Sequence, residues 1–152
     1  MTGKLENKVE GLNNENVCIS LPSKPEYVSI VRMTSSVVAN KVGFNIEEIE
    51  DIKVAVGEAC NNAVLHGCGE SSNFSVEFTI GEDKVIIEIR DEGNGFNVDK
   101  CPVPDICNPK EGGLGIFIIK SLMDDVEVKS SPGNGTIIKM IKYVREEDEA
   151  QS

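Results

Sequence analysis

Glu58 and Asn62 stand four positions apart in a segment, Ile49 to Ala63, whose apolar residues recur every three or four. That period predicts a helix, on which both side chains project from one face within about one turn. A carboxylate placed there can take a proton from a hydroxyl or a water, and an amide oxygen is a hard, neutral ligand suited to Mg²⁺. Asp91-Glu92-Gly93-Asn94-Gly95 follows a strand-like stretch and opens a long loop. Glycines at such a place let main chain approach a flat ligand closely, and Asp91 can accept a hydrogen bond from an exocyclic amine such as that of adenine. Gly112-Gly113-Leu114-Gly115 comes directly before a third helical stretch. The free N–H groups and positive dipole end of a helix start form an anion site when glycines let phosphates come near. Gly133-Asn134-Gly135-Thr136 then sets a hydroxyl at the head of the last strand.

Taken singly, each of these has an ordinary structural reading. Glu and Asn on a helix usually form a solvated face, and DEGNG is good turn chemistry. GGLG can be a flexible helix start and GNGT a hairpin. Their order is far more specific than any one of them: ExxxN on a helix, DxGxG after a strand, GGLG before a helix, then GxGT. No GKS or GKT follows the glycines, and GxGxxG spacing after a strand is absent, so neither a Walker loop nor a dinucleotide fold is indicated.

The elements that must hold these groups can be read around them. Val17 to Leu21 alternates as a short strand. Ser23-Lys24-Pro25-Glu26 has the form of a capping box, predicting a helix to about Lys41 with Gly43 as its terminator. Asn45-Ile46-Glu47-Glu48 repeats that arrangement and opens the helix of Glu58, which should run to about His66. Phe74 to Ile80 and Lys84 to Arg90 read as a hairpin joined at Gly81-Glu82-Asp83. Leu114 to Met123 reads as a helix, and Val126 to Ser130 and Thr136 to Val144 as two last strands. This order implies an α/β (α+β) two-layer sandwich: a mixed, mostly antiparallel sheet with helices on one face.

The 152 residues suffice for one domain with a single core, and 39% hydrophobic with 27% charged is the balance of an ordinary globular chain. We expect a polar lead-in over residues 1–16, a domain over 17–144 and an acidic tail over 145–152. The net charge of −11 opposes attraction to nucleic acid phosphates, so direct DNA or RNA binding is not expected. A nucleotide is still compatible with that charge, because backbone N–H groups and a cation can offset its phosphates. Five cysteines without a CxxC pair suit a reduced compartment, and no apolar run approaches the roughly 20 residues that span a bilayer. A cytoplasmic protein with no membrane segment is the expectation. Cys60, His66 and Cys68 lie near one another but lack a second ligand pair, which favours structural cysteines over zinc.

With its four motifs in place, the chain resembles the GHKL (Bergerat) ATPases, the group that includes gyrase B, the histidine kinases and MutL. The N box resembles Glu58 to Gly67 (EACNNAVLHG), the first glycine box Asp91 to Gly95, the second Gly112 to Gly115, and the final Thr box Gly135-Thr136. The likeness extends from about Val17 to Tyr143. A domain of this length, containing PSKPEYVSIVRMT and IEDIKVAVGEACNNAV, is similar to the bacterial anti-sigma-factor serine kinases of the RsbW and SpoIIAB group. It leaves no room in these residues for a sensor kinase's dimerisation segment or a gyrase's transducer domain.

That resemblance implies a homodimer that sequesters an alternative sigma factor and, with ATP and Mg²⁺, phosphorylates a serine of an anti-anti-sigma protein, in stress response or sporulation. It implies Glu58 as general base and Asn62 as the Mg²⁺ ligand that joins the phosphates to the protein. It further implies Asp91 as reader of the adenine amine, Gly93 and Gly95 as close neighbours of the nucleotide, and Thr136 as support for Asp91. Gly113, Leu114 and Gly115 would offer N–H groups to phosphates, and Arg32 would meet sigma factor and antagonist, where without the resemblance a structural salt bridge is the ordinary reading. Two other readings use the same pocket: a non-catalytic module in which nucleotide only gates protein binding, and a GHKL-type serine kinase of a pathway without a sigma factor. A cysteine-based redox or metal protein would instead show bound metal or a reactive thiol.

Overall fold

The computed structural model describes residues 14–65, 72–92, 113–131 and 133–145. Strand β1 spans Glu15–Pro22, and a 3₁₀ turn, Pro25–Tyr27, leads into α1, Val28–Val42. α2 spans Ile46–Leu65, β2 Asn73–Ile80, β3 Lys84–Asp91, α3 Gly113–Leu122, β4 Asp125–Ser130 and β5 Thr136–Tyr143. Residues 1–13 of the expected lead-in, the tail beyond Arg145, and Gly93, Gly95 and Gly112 lie outside the described residues, while Glu15 and Asn16, also expected in the lead-in, belong to β1 and pair with β2.

The strands form one sheet in the order β1-β2-β3-β5-β4. The sequence pointed to a mixed, mostly antiparallel sheet, and among the described strands all four pairings are antiparallel. The physical reason lies in the connections. Two helices between β1 and β2 reverse the chain an extra time, so these neighbours run oppositely. The one-helix crossover from β3 to β4 does make those two strands point the same way, but β5 inserts between them.

Strand alternation divides the sheet into a core face and an outer face. On β2, Phe74, Val76, Phe78 and Ile80 are buried, with Ser75, Glu77 and Thr79 on the other side. On β3, Val85, Ile87 and Ile89 are buried, and the same period carries Asp91 to the core side as the strand's last residue. On β5, Thr136, Ile138, Met140 and Lys142 share that side. Lys142 tolerates burial because its Nζ donates to Leu122 O at 2.8 Å, holding a carbonyl at the C-terminal end of α3.

Helices cover this face. α1 packs on α2 and across β2 and β3, α2 on β3 and β5, and α3 beside α2 and near β4. Val31, Val38, Ile52, Val56, Ala59 and Ile119 fill the layer between. Gly43 ends α1 at φ 110°, the left-handed conformation expected of a terminating glycine. The capping box at Asn45 forms in full: Glu48 N–H donates to Asn45 Oδ1 at 2.8 Å and Asn45 N–H to Glu48 Oε1 at 2.9 Å.

The matching box expected at Ser23 does not form. Lys24 takes the capping position in an extended conformation and no side chain caps the turn, although Pro25 stands at its start as expected. Ser23 N–H donates instead to Ser72 O at 3.0 Å, which extends the β1–β2 pairing by one step. Its hydroxyl is left buried without a hydrogen-bond partner among the described residues.

Candidate active site

The buried stripe of α2 joins Ile52 and Val56 with a run of small residues. Ala55, Gly57, Ala59, Cys60 and Ala63 are buried, which brings the helix close to its neighbours. Glu58 is half-buried at the margin of that stripe, and Asn62, one turn later, is only 6% exposed. Asn62 Oδ1 is buried and has no hydrogen-bond partner among the described residues. An amide oxygen left in that condition costs about 1–3 kcal/mol, and a hard cation is a ligand that would relieve the cost. The donor therefore fits Mg²⁺ by its chemistry as well as by its place.

The first turn of α3 meets Glu58. A Cβ on Gly115 would stand 2.9 Å from Glu58 Oε1, so the carboxylate lies directly against this glycine. Gly113, Leu114 and Gly115 are the first three residues of α3, where N–H groups have no partner within the helix. Leu114 turns its side chain outward, at 46% exposure, so its main chain alone can serve an anion here.

A second cluster lies at the end of β3. Asp91 is buried at 8% exposure and stands opposite Thr136 in the β3–β5 register. Thr136 is 3% exposed, and its Oγ1 lies 2.7 Å from Ser130 Oγ on β4, so it is bracketed by the two neighbouring strands. Ser130 Oγ also reaches Gly135 O at 3.2 Å. Gly135, at φ 78°, packs against the main chain of Asp91 so closely that no Cβ fits. Thus Asp91 and the Gly135-Thr136 pair, far apart in sequence, meet through one ladder of strand pairs.

Arg32 lies on the exposed side of α1, and its aliphatic stem crosses Gly57, whose absent Cβ would stand 3.3 Å from Arg32 Cδ. Among the described residues it makes no salt bridge. Gly57 places Arg32 on the helical turn that bears Glu58. Cys60 is fully buried, and burial pushes its thiol up to about 12, which suits packing rather than reactivity.

Ser130 and Gly57 were passed over in the sequence reading. A glycine inside a helical pattern was a visible signal for Gly57. Ser130 could have been found by counting strand register across the turn before Thr136.

Residues 21–142 match the histidine kinase-like ATPase domain family. A serine-protein kinase RsbW from Oceanobacillus iheyensis is 41% identical over 90% of this chain and 91% of its own length. This chain belongs to the RsbW family. The RsbW of Bacillus subtilis is 37% identical over 89% of each chain. Among solved structures, the RsbU and RsbW domains of a Mycobacterium tuberculosis protein superpose with a TM-score of 0.62 at 18% identity, over 88% of this chain and 33% of that one. A blue-light activated histidine kinase from Erythrobacter litoralis gives 0.55 at 20% identity, over 76% of this chain and 41% of that one. These two likenesses bear on the fold, which is the GHKL fold that the motif order implied.

Proposed function

We propose that this chain is a cytoplasmic anti-sigma factor and protein serine kinase, which holds an alternative sigma factor and uses ATP and Mg²⁺ to phosphorylate a serine of an anti-anti-sigma protein. Glu58 accepts the proton of the attacking serine hydroxyl. Asn62 Oδ1 would hold the magnesium ion, which when bound supplies positive charge across the phosphate oxygens. The N–H groups of Gly113, Leu114 and Gly115 face the phosphates, and the buried Asp91 accepts a hydrogen bond from the adenine amine. Gly93 and Gly95 belong to the same adenine end. Thr136 keeps Asp91 in place, the exposed guanidinium of Arg32 meets the sigma factor and the antagonist, and the chain acts as a homodimer.

The single observation that carries the reading is the buried Asn62 Oδ1, without a hydrogen-bond partner among the described residues, one helical turn from a carboxylate that abuts the first turn of another helix. Such an arrangement needs little covalent chemistry from the protein. Phosphoryl transfer depends on setting the hydroxyl in line and on offsetting charge. The 37% to 41% identity to serine-protein kinases supports the choice of substrate class.

Glu58→Gln is the test. Loss of a general base should slow phosphate incorporation into the anti-anti-sigma protein by about 10²–10⁴-fold with ATP affinity nearly unchanged. Normal incorporation by the variant would refute Glu58 as base. A wild-type chain that binds ATP and its partner but never transfers label would make it a nucleotide-gated binding module. Transfer to a serine protein without any sigma-factor binding would leave a kinase of another pathway.

A further inference from the structure

We propose that Gly115 is a positioning residue for Glu58: its missing side chain is the space in which the carboxylate sits. The role rests on Glu58 being the base and is separate from any phosphate contact of the Gly115 N–H. A Cβ at residue 115 would lie 2.9 Å from Glu58 Oε1, and 3.8 and 3.9 Å from Glu58 Cβ and Cδ. Carbon and oxygen that are not bonded ordinarily stay about 3.3 Å or more apart, so an alanine here and the present carboxylate position exclude each other.

The backbone gives no other reason for a glycine. Gly115 is the third residue of α3, and it is not one of the glycines with positive φ among the described residues. A glycine in a helix is less favourable than alanine, so at this position its use lies in what it leaves empty. The atom it would strike is the far end of a flexible side chain. Gly115→Ala is therefore accommodated by swinging the Glu58 carboxylate aside, with α2 and α3 left in place. Alanine also keeps the N–H of residue 115, so a role limited to donating that N–H would survive the change.

The test uses the full chain as wild type, Gly115→Ala, Glu58→Gln and the double variant. Each is measured for thermal midpoint, for MgATP affinity by calorimetry, and for single-turnover transfer of labelled phosphate to a purified anti-anti-sigma protein from the same cell. The carboxyl-carbon resonance of Glu58 in glutamate-labelled protein, assigned by its loss in Glu58→Gln, reads the contact without any substrate. Gly115→Ala should melt no lower than wild type, bind MgATP within about threefold, shift that resonance and transfer phosphate about 10- to 100-fold more slowly. Added to Glu58→Gln it should cost nothing further, because it acts through that carboxylate.

An unmoved resonance, a wild-type transfer rate or losses that multiply in the double variant would overturn the positioning role. A fall in MgATP affinity of tenfold or more would overturn it too, by showing that the added methyl blocks phosphate. Normal transfer by Glu58→Gln alone would instead remove the base assignment, with the resonance still deciding whether the contact exists.

Discussion

Gly135 lies against the main chain of Asp91 with no room for a Cβ, at φ 78° and buried. The obstacle here is a peptide carbonyl, which cannot swing away as a side chain can. Gly135→Ala should therefore destabilise the protein by about 1–3 kcal/mol from backbone strain alone, and by more once the collision is included. Urea unfolding would show a lowered midpoint, and an unchanged midpoint would contradict the packing.

Ser130 and Thr136 share a hydrogen bond of 2.7 Å at the place where Thr136 faces Asp91 across the strand pair. Ser130→Ala should lower stability by about 0.5–1.5 kcal/mol and weaken ATP more than it slows transfer from bound ATP. Titration of ATP into the variant, beside a saturated transfer assay, separates the two effects.

The exposed box at the start of α2 should matter to stability alone. Asn45→Ala removes the oxygen that receives Glu48 N–H and should cost about 1 kcal/mol, with the transfer rate at saturating ATP unchanged. Thermal melting and a transfer assay on the same preparation check both statements.

Cys60 and Cys18 should part company toward reagents. Cys18 is exposed and Cys60 buried, and burial holds the Cys60 thiol up at about 12 against an ordinary 9.0. Alkylation at neutral pH should label Cys18 in the folded chain and reach Cys60 only after denaturation. The linkage has a definite sign: the folded state keeps a proton that the unfolded chain releases, so stability is intact below pH 9.0 and falls as pH rises toward about 12. Melting midpoints that rise over that window would contradict the burial.

Much of this site was legible because its parts obey local periods. The helical repeat put Glu58 and Asn62 on one face, and the strand pattern of Lys84 to Arg90 set Asp91 at a strand end. Gly43 and the Asn45 box set helix ends by chemistry within a few residues. The Ser23 box failed since the Ser23 N–H is taken by Ser72, a residue remote in sequence that no local pattern reveals. The same limit hid the contact of Gly115 with Glu58 and the seat of Arg32 on Gly57, which follow from how α3 and α1 dock on α2. Insertion of β5 between β3 and β4 is likewise a matter of strand order, which a list of elements does not contain.

The central claim is that the Asn62 amide oxygen serves magnesium-bound ATP. Because that oxygen has no protein partner among the described residues, Asn62→Ala breaks no hydrogen bond of the oxygen and should fold normally. Calorimetric titration of nucleotide-free wild type and Asn62→Ala with ATP, with and without Mg²⁺, tests it most directly. Wild type should bind ATP at least about tenfold more tightly when Mg²⁺ is present, a margin of about 1.4 kcal/mol, and the variant should lose that gain while keeping its magnesium-free affinity. No binding by wild type, or the same magnesium gain in Asn62→Ala, would contradict the account.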